Sequence, residues 1–244
     1  MLAAIPKGSG LGTSSLLAGT VLGALSELCG FGWDQQALAA RVSAVEQMLG
    51  TGGGWQDQLG GLLPGAKLIE TQPGMSQAAA IRWLPTDFFQ SAEFESRVML
   101  YYTGITRVAH DVLGEIVRGM FLNDPARLSV LAAIAVNSRA CFDAAQQFDL
   151  PAFADSVKRS WQLNQSLDSG TCPPAVAQLV KRVDPHVTAL KLAGAGGGGF
   201  MFLIAKDTAR ATHVRTELEN NPPNERARFV EMSVSSTGLQ VTRS

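Results

Sequence analysis

The sequence predicts an α+β fold built from two parts, an α/β part at the N-terminus and an α+β part after it. Stretches with apolar residues at helical spacing dominate the first 50 residues, and short strand-like runs follow them. The composition changes near residues 85–97, which marks the expected boundary between the parts. We therefore predict one domain over residues 1–90 and a second over residues 91–244.

Two helices are expected before residue 50. The first covers Thr13–Cys29 and stops at Gly30, and the second covers residues 35–49 with Asp34 as its N-terminal cap. Each helix should bury one apolar stripe. The two stripes are Leu17, Val21, Leu25 and Leu28 in the first helix, and Leu38, Val42, Val45 and Leu49 in the second.

Strands and helices are expected in mixed order over the rest of the chain. The expected strands cover residues 67–71, 78–84, 98–103, 187–192, 200–205 and 229–234. One helix should follow Thr103 and Gly104 and run to residue 120, and a short helix should open at the two prolines 173 and 174. Further helices are expected over residues 125–148, 151–167 and 208–219.

Composition and charge exclude several classes of function. The chain carries 20 Lys and Arg against 21 Asp and Glu, a formal net charge of −1, so no nucleic-acid partner is expected. No continuous apolar run reaches the ~18 residues of a membrane span, and no signal peptide is visible, so no membrane partner is expected. The three widely spaced cysteines indicate a reduced, cytoplasmic compartment. The oligomeric state stays open.

Fifteen of the 25 glycines fall in three short clusters, within residues 8–12, 50–65 and 194–199, and the first cluster lies in PKGSGLGTSS, residues 6–15. A glycine-rich turn and the helix start behind it present N–H groups and a positive dipole end, which favours a phosphate. No GK[ST] follows, which excludes a Walker A loop. The hydroxyl groups of Thr13, Ser14 and Ser15 could cap the helix or bind Mg²⁺. The alternative for this cluster is a capped helix after a tight turn.

The second cluster, TGGGWQDQLGG at residues 51–61, contains one carboxylate, Asp57, in what we expect to be a flexible loop. A carboxylate there could accept the proton of an attacking sugar hydroxyl group. The alternative is that Asp57 caps a following helix. Glu46 borders the apolar face of the preceding helix, where a surface salt bridge is the simplest interpretation.

The third cluster, GAGGGG at residues 194–199, formally satisfies the dinucleotide-binding pattern GxGxxG, and Glu217 follows at a suitable distance. That type of site requires a helix directly after the glycines. Residues 200–205 are predicted to form a buried strand instead. We therefore exclude a Rossmann-type site.

Taken in order, the three clusters resemble the three motifs of the GHMP small-molecule kinases. The resemblance implies a partial N-terminal part that is similar to ribosomal protein S5 domain 2, and a ferredoxin-like C-terminal domain. It also implies ATP and Mg²⁺ as cofactors, Asp57 as the catalytic base, and Ser14 and Glu46 as magnesium ligands. The nucleotide-binding residues that it implies are Lys7, Gly8, Ser9, Gly10, Leu11, Gly12, Thr13, Ser14, Ser15, Gly196, Gly197 and Gly198.

Within this superfamily, the clusters together with Tyr102-Thr103-Gly104 and Arg107 are similar to the L-fucokinases, including those fused to a guanylyltransferase. This likeness implies ATP-dependent phosphorylation of the anomeric hydroxyl group of L-fucose, giving L-fucose 1-phosphate for GDP-fucose salvage. A D-glycero-D-manno-heptose-phosphate kinase or another GHMP sugar kinase is one alternative. A non-catalytic fragment with the kinase fold is another. The family begins with sugar-binding strands, so we expect this chain to be an incomplete form that is poorly active or inactive alone.

Overall fold

The structure is a computed structural model that describes residues 5–6, 8–50, 53–72, 74, 78–105 and 110–242. The α-helices found within these residues are α1 (Thr13–Cys29), α2 (Gln35–Met48), α3 (Gln56–Leu62), α4 (Thr86–Phe89), α5 (Ala92–Arg97), α6 (His110–Phe121), α7 (Pro125–Gln146), α8 (Leu150–Leu167), α9 (Pro174–Val183) and α10 (Thr208–Asn220). The strands are β1 (Lys67–Thr71), β2 (Ala79–Trp83), β3 (Val98–Tyr102), β4 (Val187–Leu192), β5 (Phe200–Ala205) and β6 (Arg228–Val230). The α+β class is confirmed.

The chain divides into two compact units. Unit 1 comprises the described residues up to Thr86, apart from Gly8–Leu11, and the described residues from Val234 onward. Unit 2 comprises Gly8–Leu11 and Asp87–Ser233. The chain therefore passes from one unit to the other four times, and neither unit is continuous in sequence. A boundary read along the sequence cannot describe such a division, because short segments join a unit through backbone hydrogen bonds.

Unit 1 consists of three packed helices and an antiparallel pair of strands. Strands β1 and β2 pair with Ile69 opposite Ile81. The buried residues Ala39, Val42 and Leu62 form the core between the helices. Helices α1 and α3 approach closely, because a Cβ atom on Gly19 would lie well inside contact distance of the Leu62 side chain.

The predicted apolar stripe of α1 is wrong. The buried residues of this helix are Ser15, Gly19, Gly23 and Ser26. Val21, Leu25 and Leu28 are exposed instead, and Leu28 is 81% exposed. Close packing selects the face with the smallest side chains, since Gly19 lies against Leu62 and Gly23 against Leu239, whereas the helical pattern points to the face with the largest. In α2 the prediction is better, because Leu38 and Val42 are buried while Leu49 is exposed.

Unit 2 is built on a four-stranded antiparallel sheet in the order β4-β5-β3-β6. Along the chain, β3 is followed by helices α6 to α9, then by β4, β5, α10 and β6. This order is the ferredoxin-like arrangement expected for the C-terminal domain. Helix α8 packs along β4, and α10 lies over β5. The core is made of residues such as Tyr101, Leu192, Met201, Leu203 and Leu218. The sheet carries Thr103 and the third glycine cluster at the ends of its central strands.

Two structural observations bear on the expected compartment and partners. Cys29, Cys141 and Cys172 are all free thiols. In the part of the chain that the structure describes, α7 alone is long and apolar enough to cross a membrane by length and composition. This helix packs along α8 within unit 2.

Candidate active site

The first glycine cluster forms the predicted turn in front of α1. Gly8, Gly10 and Gly12 have φ angles of 71°, 81° and 65°, in the region that favours glycine. Helix α1 starts at Thr13. The residue at its N-cap position is Gly12, which has no side chain to cap the helix. Its first turn also carries no acidic residue. The start of α1 is thus without a capping side chain at Gly12, and the N–H groups of an uncapped helix start suit an anion.

Asp57 lies directly against Gly12, where α1 begins. A Cβ atom on Gly12 would lie 2.8 Å from Cβ of Asp57 and 2.9 Å from its carboxyl carbon. No residue larger than glycine fits at position 12 without moving Asp57. The contact brings the last glycine of the first cluster and the carboxylate of the second cluster to one place in unit 1.

The predicted flexible loop around Asp57 is wrong. Residues Gln56–Leu62 form α3, and Asp57 occupies its first turn, two residues after the N-terminal cap residue Trp55. Gly60 and Gly61 lower the helix propensity of this segment, which is why its sequence resembles a loop. Gly61 allows α3 to approach the Leu16 side chain of α1 closely, and this packing contributes to the stability of the helix. Asp57 thus belongs to a regular element near its positive dipole end.

Glu46 joins three helices through hydrogen bonds. The Ser15 hydroxyl group of α1 lies 3.0 Å from both carboxylate oxygens of Glu46, which is on α2. The side-chain amide of Gln58 on α3 donates to the same carboxylate. Glu46 is only 7% exposed, so the interpretation as a surface salt bridge is wrong. Ser14, expected to act with Glu46, is exposed, and Ser15 occupies the position beside this carboxylate.

Two effects raise the pKa of the Asp57 carboxyl group above its ordinary value of 3.8. The larger is desolvation by the surrounding protein, and the second is the negative charge of Glu46. The Asp57 side chain is still exposed at the surface, so a ligand can reach it. A carboxylate with a raised pKa is a better proton acceptor than an ordinary surface aspartate.

In unit 2, Ser9 and Gly10 lie in contact with the third glycine cluster and its flanking residues. The Phe200 N–H group donates to the Ser9 carbonyl oxygen at 3.1 Å. A Cβ atom on Gly10 would lie 2.7 Å from the Ala193 carbonyl oxygen, and one on Gly199 would overlap the Ser9 backbone. The backbones of the first and third clusters are therefore in direct contact, and this contact requires glycine.

The third cluster is also held by its own unit. Thr103 donates to the Gly199 carbonyl oxygen through both its N–H group at 2.9 Å and its hydroxyl group at 2.8 Å. The Gly197 N–H group donates to the Thr171 carbonyl oxygen at 2.7 Å. The strand expected after the cluster is present as β5. Contact of Gly196, Gly197 and Gly198 with a nucleotide stays a prediction.

Several expected site residues are not described. Lys7 and Arg107 lie outside the described residues, as do residues 51 and 52 of the second cluster. The sequence interpretation also gave no individual role to two residues of its motifs, Gln58 and Thr103. Gln58, which donates to Glu46, follows Asp57 directly, so the Asp-Gln pair was the available signal. Thr103 holds Gly199, and its signal was a hydroxyl residue between a strand and Gly104.

Comparison with known proteins places this geometry in a family. The model of the GHMP kinases N-terminal domain matches residues 2–65, and that of the GHMP kinases C-terminal domain matches residues 141–224. The chain belongs to the GHMP kinase family. Asp57 and the first glycine cluster lie within the N-terminal GHMP match, and the third cluster lies within the C-terminal GHMP match.

Individual relatives of this GHMP kinase chain cover it almost completely. The L-fucokinase/L-fucose-1-P guanylyltransferase of Bacteroides fragilis is 47% identical over 244 residues, which is 100% of this chain and 26% of that protein. The bifunctional fucokinase/GDP-fucose pyrophosphorylase of Arabidopsis thaliana is 34% identical over 89% of this chain and 21% of that protein. The chain thus spans about a quarter of the length of these relatives.

A solved GHMP kinase shows the same fold. The crystal structure of L. major mevalonate kinase in complex with R-mevalonate matches with a TM-score of 0.67 at 19% identity. The match covers 93% of this chain and 67% of that one. Likeness at this level of identity concerns the fold alone. It confirms the GHMP kinase fold expected from the three glycine clusters.

The contact between Gly12 and Asp57 predicts an unequal effect of two alanine substitutions. Gly30, the residue after α1, has a φ angle of 69°, and a Cβ atom there would meet nothing within 4 Å. Gly30→Ala should cost about 1–2 kcal/mol of unfolding free energy, because only the left-handed backbone is strained. Gly12→Ala should cost clearly more, because its methyl group also collides with Asp57. Urea unfolding of both variants tests this, and equal losses would contradict the contact.

The raised pKa of Asp57 can be measured directly. Without Mg²⁺, the Asp57 carboxyl group should titrate above 3.8, so its base form is lost at a higher pH than in an ordinary aspartate. Glu46→Gln should lower this pKa but leave it above 3.8, because desolvation is the larger effect. Carbon NMR of the carboxyl group against pH gives the values. Glu93→Gln, at an exposed position in α5, is the control, and an unchanged pKa in Glu46→Gln would refute the electrostatic coupling.

Proposed function

We propose that this protein is an ATP-dependent sugar kinase that phosphorylates the anomeric hydroxyl group of L-fucose, giving L-fucose 1-phosphate. The names of its relatives in Bacteroides fragilis and Arabidopsis thaliana include fucokinase activity, which supports the choice of sugar. The observation that carries the proposal is the position of Asp57 on Gly12. A proton acceptor lies there beside a helix start whose N–H groups suit a phosphate.

Asp57 would act as the general base. Its carboxylate would accept the proton of the attacking sugar hydroxyl group while the γ-phosphoryl group of ATP passes to the sugar oxygen and ADP leaves. Phosphoryl transfer otherwise requires mainly correct positioning and neutralisation of charge. The raised pKa of Asp57 improves proton acceptance, and its fixed place in α3 determines where the hydroxyl group must approach.

The first glycine cluster fits the phosphates of ATP. Gly8, Gly10 and Gly12 have positive φ angles, and the Ser9 hydroxyl group in unit 2 is buried with no hydrogen-bond partner among the described residues. An orphaned buried donor of this kind is satisfied when an anion binds beside it. The proposed nucleotide contacts are Lys7, Gly8, Ser9, Gly10, Leu11, Gly12, Thr13, Ser14, Ser15, Gly196, Gly197 and Gly198.

Glu46 is the proposed magnesium ligand, and the donor set fits this cation in type. Carboxylate and hydroxyl oxygens are hard ligands, which Mg²⁺ prefers, and two carboxylates close together attract a cation. Ser14 is the hydroxyl ligand that the sequence predicts, but Ser15 is the serine in contact with Glu46. Among the described residues no three His, Cys, Asp or Glu side chains gather as a closed metal site. Bound Mg²⁺ would neutralise charge on the phosphates of ATP.

A phosphoryl-transfer assay tests the proposed substrate. The purified chain is incubated at high concentration with MgATP and, in parallel, L-fucose, D-galactose, D-mannose or a heptose 7-phosphate. We expect a product only or mainly from L-fucose, with its phosphorus coupled to the anomeric proton in NMR spectra. Preference for the heptose phosphate would replace L-fucose as the substrate. Absence of every product would support the non-catalytic alternative.

Substitution of the proposed base separates chemistry from nucleotide binding. Asp57→Asn should lower kcat by about 10²–10⁴-fold, because an amide cannot accept the hydroxyl proton. The Kd for ATP should change little, because the phosphate-binding groups remain in place. Steady-state turnover and fluorescence titration with ATP give the two values. Asp87→Asn, at an exposed residue of α4, is the matched control, and an unchanged kcat in Asp57→Asn would refute the assigned role.

A further inference from the structure

Helix α3 depends on its surroundings for its orientation. It has seven residues, two of which are glycines, and a helix this short is unstable by itself in water. At its first turn, Gln58 donates to Glu46, which fixes the end that carries Asp57. The orientation of the helix then depends on what holds its other end.

The last described part of the chain holds that other end. We call residues 234–242 the C-terminal segment; they belong to unit 1 although they follow β6 of unit 2 in sequence. The Leu239 N–H group donates at 2.9 Å to the carbonyl oxygen of Leu62, the last residue of α3. The Gly65 N–H group donates at 2.7 Å to the Ser235 carbonyl oxygen. The Leu239 side chain also packs into the core beside Leu62. The last carbonyl groups of a helix have no partner within the helix, and the C-terminal segment supplies one to the carbonyl group of Leu62.

Gln35 fastens the C-terminal segment to α2. Its side-chain amide nitrogen donates to the carbonyl oxygens of Thr237 at 3.2 Å and of Leu239 at 3.1 Å. Gln35 is the first residue of α2, and the neighbouring Asp34 caps this helix by accepting from the Ala37 N–H group at 2.7 Å. The amide group therefore projects from a fixed helix start. Its two N–H groups thus bind two carbonyl groups of the segment, two residues apart.

Gly238 lets the C-terminal segment pass over the end of α3. Its φ angle is 65°, and a Cβ atom there would lie 2.5 Å from the Leu62 carbonyl oxygen and 2.9 Å from the Pro64 nitrogen. Both neighbours are backbone atoms, which cannot rotate away as a side chain can. Any other residue at position 238 must lift the segment from the helix.

We propose that the C-terminal segment is a positioning element for the catalytic helix, with Gln35 and Gly238 as positioning residues. The proposal rests on the proposed function, because it takes Asp57 as the base. The segment and the Glu46 carboxylate hold the two ends of α3, and a short helix held at both ends keeps Asp57 on Gly12. Neither Gln35 nor Gly238 belongs to the proposed substrate-binding groups. They act through α3.

The test compares Gly238→Ala and Gln35→Ala with matched controls. Gly32→Ala introduces the same methyl group at a similar φ angle of 63°, where nothing lies within 4 Å, and Gln36→Ala removes an exposed neighbouring amide. Hydrogen exchange of residues 53–63 is followed by mass spectrometry, with residues 187–205 of unit 2 as an internal reference. Backbone amide shifts of Asp57 and Gln58 report on the first turn of α3.

We expect faster exchange in residues 53–63 and moved amide shifts in the two test variants, with unchanged exchange in residues 187–205. Turnover should fall by about 10–100-fold, with the KM for ATP changed less than about threefold, because a small misplacement of the base affects chemistry more than binding. Both control variants should show the exchange rates, amide shifts and turnover of the unchanged chain.

Three results would overturn the proposal. They are unchanged exchange in residues 53–63, equal acceleration in residues 187–205, and faster local exchange with an unchanged kcat. If the unchanged chain gives no turnover at all, the kinase function fails instead. The exchange rates and amide shifts of Asp57 and Gln58 then still decide whether the C-terminal segment positions this residue.

Discussion

The buried carboxylate of Glu46 is the interaction on which the arrangement of unit 1 depends. It lies on α2 and accepts hydrogen bonds from Ser15 of α1 and Gln58 of α3. A buried charge is tolerated only when it is well hydrogen-bonded, and loss of one partner leaves a costly uncompensated group. The three helices are therefore tied at one point. Asp57 is adjacent to that point, so the same carboxylate that fixes its helix also raises its pKa.

Glycines allow the other close approaches in both units. In unit 1, Gly12 brings the start of α1 onto Asp57. In unit 2, Gly10 and Gly199 bring the first and third clusters into backbone contact. At each of these positions a Cβ atom would collide with an atom that cannot easily move, and φ is positive. The glycines of this GHMP kinase chain therefore do more than shape loops, since they determine which segments can touch.

Local sequence patterns predicted much of the fold and part of the site. Strands such as β3 and β5, the turn before α1 and the kinase family could be inferred, because each leaves a signal within a few neighbouring residues. The helix around Asp57 could not, because Gly60 and Gly61 disfavour a helix and only contacts with distant parts of unit 1, such as Leu16 and Glu46, stabilise it. Helical periodicity also predicted the wrong buried face of α1, since the close approach of Leu62 and Leu239 requires small residues there.

The sequence by itself determined which chemical groups are available: glycines that allow positive φ angles, a helix start suited to phosphate, and Asp57 in a glycine-rich segment. Tertiary structure decided which of these groups meet. It placed Ser15 rather than Ser14 on Glu46, Asp57 on Gly12, and residues 234–242 on the end of α3. These contacts join residues that are far apart in the chain, and they depend on shape and burial. Local propensity contains no information on either.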